Sequence, residues 1–297
     1  MAIFEGSAVA LVLPMDEDGS IDFEGFKKQV QRMIDGGVQA LLVNGTTGET
    51  ATILLEDEFK LLDITMDMAK GTGVKVIAGA GSNDTTTALK KARYAKEKGA
   101  DAILVVTPYY NKTSQRGLIG HYTAIADAVD IPLIMYNVPG RTGLNIAVDT
   151  VVELAKHKNI VAMKDATDNI AYAMEVMAKT ENEDFDLYSG CDDNILPFMA
   201  AGGKGVISVL SNIYPRETEL LTQLILKGDL QKARPLAYAL DPVSRYLFCD
   251  VNPIMPKAAL AKMGVCSEQV RLPLIKTTEE NKKKLFDAMA AFEKLGY

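Results

Sequence analysis

Asn159-Ile-Val-Ala-Met-Lys-Asp165 is an apolar, strand-like run that ends in a lysine and then turns polar at Asp165-Ala-Thr-Asp168. The pattern places Lys164 at the end of a strand. A lysine there has two readings. Its stem can lie on apolar surface with the ammonium in water, the commoner state of lysines. Alternatively it is desolvated at the mouth of a barrel, where its pKa falls and the neutral amine can attack a carbonyl. The rest of the chain decides between them.

Working outward from Ile160–Met163, seven further short apolar runs read as strands: Ala8–Leu13, Ala40–Val43, Val74–Ala78, Ala102–Val106, Pro132–Tyr136, Phe185–Tyr188 and Gly205–Ser208. Between them stand amphipathic segments such as Phe23–Asp35, Leu55–Lys70, Thr85–Lys98, Gln115–Ala128 and Ala147–His157, long enough to cross over between parallel strands. Eight alternations predict a parallel α/β fold, either an open sheet or a closed barrel. An open doubly wound sheet carries a glycine-rich phosphate loop after its first strand, and Leu13-Pro-Met-Asp-Glu-Asp-Gly19 is not one. The expectation is a (βα)8 (TIM) barrel. Gly79-Ala-Gly81 lacks the third glycine of a dinucleotide loop and reads as a place of close backbone approach. Gly202-Gly-Lys-Gly205 precedes the eighth strand and belongs to the bottom of the barrel.

After Ser208 the strands stop. Helices are expected over Pro215–Lys227, Leu230–Phe248, Pro253–Lys262 and Glu279–Leu295. The expected division is a catalytic barrel over 1–225 and a C-terminal helical extension over 226–297.

Composition narrows the function classes. Of 297 residues 48% are hydrophobic and 24% charged, ordinary for a globular protein, and a net charge of −7 argues against a phosphate-backbone partner. No apolar run approaches the roughly 18–20 residues that span a bilayer, and the N-terminus has no basic region ahead of its apolar stretch; a cytoplasmic location is expected. Cys191, Cys249 and Cys266 are odd in number and widely spaced, which suits reduced thiols. His121 and His157 sit in no metal or triad motif, so no metal site is expected.

Chemistry in such a barrel sits at the C-terminal ends of the strands. Strand two ends in Asn44-Gly-Thr-Thr-Gly-Glu49, strand four in Thr107-Pro-Tyr-Tyr-Asn111, strand five in Tyr136-Asn-Val-Pro-Gly-Arg-Thr-Gly143, and strand six in Lys164. One amine, three phenols, two hydroxyls and a guanidinium at a common mouth are equipment for imine chemistry on a keto acid. Lowering a lysine by about three pKa units from its usual value near 10.4 costs about 4 kcal/mol of ammonium stabilisation, which burial can supply. Tyrosines bridged by a hydroxyl can relay protons. Arg141 offers a bidentate clamp for one carboxylate, and Thr47 with its loop amides a site for a second. Two carboxylates suggest two acid substrates.

These motifs, with Gly6-Ser-Ala-Val-Ala-Leu-Val, Gly205-Val-Ile-Ser208 and Asn252-Pro-Ile254, resemble the class I pyruvate-dependent aldolases and lyases of the dihydrodipicolinate synthase / N-acetylneuraminate lyase family, over nearly the whole chain. The Thr-Thr pair and Arg141 are similar to the synthase branch; sialate lyases typically have Ser-Thr there and lack the arginine. The resemblance implies condensation of pyruvate with aspartate 4-semialdehyde in lysine biosynthesis. It implies no cofactor beyond a covalent pyruvate imine on Lys164, with Tyr136, Thr46 and Tyr110 as the proton relay and Tyr110 reaching in from a neighbouring subunit. The implied assembly is a homodimer or a homotetramer. Thr47 matches the pyruvate-carboxylate contact, Arg141 the semialdehyde-carboxylate contact, and the backbone at Ile207 a group near the imine. Thr50, Ala51, Asn83 and Tyr109 match a pocket in which some members bind lysine. There an acidic position is occupied by Thr87, and imidazole positions fall near Leu55 and Glu58. Asp165, Leu13-Pro-Met15 and Cys191 depart from the usual pattern. Another pyruvate aldolase acting on sugar acids and a non-catalytic keto-acid sensor are the alternatives.

Overall fold

Eight parallel strands close on themselves in sequence order, β8 pairing with β1. The structure, a computed structural model, describes residues 2–297. The barrel units are β1 (Gly6–Ala10), α1 (Phe23–Asp35), β2 (Ala40–Val43), α2 (Leu55–Ala69), β3 (Lys75–Gly79), α3 (Thr85–Lys98), β4 (Ala102–Val106) and α4 (Gln115–Ala128). They continue through β5 (Leu133–Asn137), a short α5 (Pro139–Thr142), α6 (Val148–Ala155), β6 (Ile160–Asp165), α7 (Ile170–Lys179), β7 (Asp186–Ser189), α8 (Ile195–Ala200), β8 (Gly205–Ser208) and α9 (Pro215–Leu226). Then come α10 (Leu230–Leu247), α11 (Ile254–Lys262) and α12 (Glu279–Glu293).

The strands are buried on both faces, as a sheet covered by helices requires. Alternate residues point opposite ways, and they separate into two apolar groups. Ala8, Ala40, Leu42, Ile77, Leu104, Ile134, Tyr136, Ala162, Tyr188 and Ile207 fill the interior. Val9, Leu41, Val76, Ile103, Met135, Met163 and Leu187 face the surrounding helices. Lys164 lies two residues beyond Ala162 and therefore continues the inward row, above the apolar filling.

The helix starts are chemically marked. Asp22 accepts from the Gly25 amide, Asp84 from those of Thr86 and Thr87, and Ser114 from that of Gly117, each satisfying an amide that the first turn leaves free. The glycines expected at close approaches are there: a Cβ on Gly79 would lie 1.9 Å from the Asn44 carbonyl oxygen, and one on Gly81 2.5 Å from the Val106 nitrogen.

Most strand bounds hold or shift by a single residue, and two C-terminal ends shift further. β1 stops at Ala10 rather than Leu13, because the Val12 amide leaves the ladder for Asn212 Oδ1. β6 runs on to Asp165, so Lys164 is within the strand, paired with Tyr136 on one side and Tyr188 on the other. The C-terminal helices follow the predicted order, and residue 225 falls in the last turn of α9. Leu236, Leu240 and Leu285 of α10 and α12 share one apolar cluster with Ile195, Val206 and Leu221 of the barrel.

Candidate active site

At the C-terminal mouth of the strands opens a cleft of about 710 Å3. Lys164, Tyr136, Thr46, Thr47, Arg141 and Tyr109 all line it, brought there by β6, β5, the loop after β2, α5 and the loop after β4. Two of these elements follow from local sequence. Val43 ends β2, and a single 3-10 turn, Thr46–Gly48, sets the two hydroxyls side by side. Pro139 starts α5 at its first position, where its missing amide costs nothing, and the four-residue helix swings Arg141 back over the mouth.

The Lys164 side chain is 5% exposed, with Nζ 4.5 Å from the centroid of the Tyr136 ring. Burial drives its pKa down to about 8, against the opposing pull of Asp192 and of Cys191; the Arg141 guanidinium adds to the fall. Roughly a tenth is therefore the neutral, nucleophilic amine at pH 7, far more than at the ordinary lysine value. The same burial raises the Tyr136 phenol to about 12, offset by Arg141 and, least of all, by the nearby Thr46 hydroxyl, with Cys191 reinforcing the rise. At neutral pH the phenol carries its proton.

Ile207 is fully buried on the inward face of β8, opposite Ala8 of β1. Thr50 and Ala51 line an outlying part of the same cleft, together with Lys91 and Tyr109. Asn83 does not line it; its carbonyl accepts from the Asn111 amide. Tyr110 stands outside the cleft of its own chain, 92% exposed at φ 67°, a backbone region that costs energy for a bulky residue. Thr87 is tied to Asp84, and Glu58 is buried in an ion pair with Lys91 at 2.8 Å.

Three residues of the site escaped the sequence reading. Asn252 donates from Nδ2 to Thr47 Oγ1 at 3.0 Å while its carbonyl accepts from Arg141 at 3.2 Å, so one residue of the C-terminal extension touches both expected carboxylate binders. Asp192 is buried near Lys164, one oxygen capped by the amides of Val209 and Leu210 and the other unpartnered. Gly190 leaves room for the amine: a Cβ there would lie 3.0 Å from Lys164 Cε. Gly190 left a sequence signal as a glycine directly after a strand, and Asn252 as part of the Asn252-Pro-Ile254 motif, though with no role attached.

A buried amine, a phenol, two hydroxyls and a guanidinium at the mouth of a (βα)8 barrel are the groups that imine-forming lyases of keto acids need. The chain belongs to the dihydrodipicolinate synthetase family, whose profile matches residues 3–292. It is 47% identical over 291 residues to a 4-hydroxy-tetrahydrodipicolinate synthase of Trichlorobacter lovleyi, covering 98% of this chain and 99% of the relative. The dihydrodipicolinate synthase of Aquifex aeolicus superposes with a TM-score of 0.94 at 43% identity, over 98% of both chains. The chloride-inhibited enzyme of Acinetobacter baumannii, solved in complex with pyruvate, gives 0.95 at 39% identity over 98% and 99%.

Proposed function

We propose that the chain condenses pyruvate with L-aspartate 4-semialdehyde to give 4-hydroxy-tetrahydrodipicolinate, the lysine (diaminopimelate) biosynthetic reaction of its relatives. The observation that carries the mechanism is Lys164, a buried amine with a depressed pKa facing Tyr136 inside the barrel mouth. Neutral Lys164 attacks C2 of pyruvate, and the carbinolamine loses water with a proton from Tyr136. Loss of a methyl proton gives the enamine, whose carbon attacks the aldehyde carbon of the semialdehyde. The amino group of that second substrate then attacks the imine carbon, closing the ring and releasing Lys164 for another turn. No cofactor enters these steps; the covalent imine does the activation.

Thr47 is assigned the pyruvate carboxylate, Arg141 the semialdehyde carboxylate, Thr46 the bridge in the relay, and the Ile207 backbone the surroundings of the imine. Tyr110 is assigned to the relay of a neighbouring subunit, which its exposure on a strained turn supports and which makes a homodimer, alone or paired into a tetramer, the working form. We assign the enzyme to the cytoplasm: no helix among the described residues is long and apolar enough to cross a membrane, and the three cysteines are unbridged.

A substrate panel tests the reading. Purified protein consumes pyruvate only when aspartate 4-semialdehyde is present and does not cleave N-acetylneuraminate or 2-keto-3-deoxy sugar acids. Cleavage of a sugar acid without semialdehyde condensation overturns it. Within this scheme Arg141→Ala raises KM for the semialdehyde by roughly 10- to 100-fold, the worth of a charge-assisted contact, while pyruvate imine formation is largely retained. Equal loss for both substrates contradicts the division.

Lysine is expected to inhibit weakly or not at all. Thr87 offers no charge to its amines, and Glu58, the nearest carboxylate to a missing imidazole, is already neutralised by Lys91. A titration of initial rate at saturating pyruvate and half-saturating semialdehyde checks this; strong inhibition below millimolar lysine contradicts it.

A further inference from the structure

The loop bearing Thr46 and Thr47 ends at Glu49, a non-glycine residue in the left-handed region at φ 53°. Such a backbone persists only when its surroundings hold it. The grip comes from the C-terminal extension. Lys257 of α11, fully buried, places its ammonium on Glu49 Oε1, and the Arg271 amide donates to Oε2 at 2.9 Å. Lys257 also donates to the Gln269 carbonyl, and the Arg271 guanidinium reaches the carbonyls of Thr52, at 2.7 Å, and Gly19. Both ends of the segment Glu49–Thr52 are thus tied to residues more than two hundred positions away, directly beside the two hydroxyls. A buried ion pair adds little net stability against apolar groups of the same shape, so its value lies in the geometry it specifies.

We propose that Lys257 and Glu49 are positioning residues for the reaction: the pair fixes the turn that carries Thr46 and Thr47, and so sets pyruvate's carboxylate site and the relay hydroxyl against Lys164 and Tyr136. The proposal rests on the keto-acid reading above. A positioning loss of a fraction of an ångström is costly for catalysis even far from the reacting atoms.

The test compares the wild type, Glu49→Gln/Lys257→Met, and Lys257→Arg. The double variant removes both charges, so that no lone charge stays buried. Thermal melting, steady-state kinetics and borohydride trapping of pyruvate on Lys164 are measured for each. The double variant is expected to melt near the wild type, with KM for pyruvate raised on the order of tenfold and the trapping rate lowered in step, KM for semialdehyde changing less than about threefold, and Lys257→Arg recovering most of the loss. A folded double variant with wild-type KM and trapping rate overturns the proposal, showing the pair to be a packing feature. Hydrogen exchange in the wild type gives a reading that needs no variant: the amides of Gly48, Glu49 and Thr52, which donate within the turn, are expected to be protected to the level of α11, and free exchange there also overturns it. If the wild type itself traps no pyruvate, the keto-acid reading fails, and that result is separable from the kinetics of the pair.

Discussion

Lys164→Met loses turnover by about four orders of magnitude or more and gains stability below pH 8. The first effect follows because the other lysine lining the cleft, Lys91, is held in its ion pair with Glu58, and removal of a covalent nucleophile leaves only binding and proton transfer. The second follows from linkage. The folded protein holds Lys164 near pKa 8, whereas the unfolded chain has it near the ordinary lysine value of 10.5. Between those values the unfolded state binds more protons, so the wild type gains stability as pH rises through the window, and below pH 8 it bears the whole cost of keeping the site poised. That cost is at most about 3.5 kcal/mol, two and a half pKa units at about 1.4 kcal/mol each. The variant is therefore expected to melt higher than the wild type at pH 7, with the difference closing as pH approaches 10.5. Equal melting at both pH values contradicts the desolvated amine. In the wild type the same ionisation makes kcat/KM for pyruvate rise with pH and level off above about 8.

Tyr136→Phe lowers kcat by roughly 10²- to 10³-fold, the usual worth of a positioned proton donor. The ring stays, so the packing against Lys164 Nζ at 4.5 Å is kept. What goes is the phenolic proton, held on the oxygen by burial well above neutral pH. Pyruvate imine still forms, more slowly, because the bond is made by the lysine. Rapid-quench trapping separates the two steps, and unchanged turnover removes Tyr136 from the relay. Thr46→Val should reproduce a milder version, since its hydroxyl lines the cleft beside the phenol.

The architecture was legible because its signals are local. Phe23–Asp35, Thr85–Lys98 and Gln115–Ala128 have the expected bounds, each preceded by a residue whose side chain caps it. The strand ends drifted because the ladder, not the residue, decides them: Lys164 and Asp165 stay in β6 through their pairing with Tyr136 and Asn137 of β5. The six-residue α8, with a proline inside, is too short to show a helical period. Residues contributed at strand ends could be found by asking what each strand stops at. Asn252 and Lys257 could not, since their partners Thr47 and Glu49 lie 205 and 208 positions away and meet them only when the extension folds back across the mouth.

All of these expectations depend on one bond, between Lys164 Nζ and C2 of pyruvate. Incubation of the wild-type protein with pyruvate, reduction with borohydride and peptide mapping by mass spectrometry measures it directly. A single reduced pyruvate adduct is expected, on Lys164 and absent without pyruvate; an unmodified Lys164, or an adduct on another lysine, contradicts catalysis through this imine.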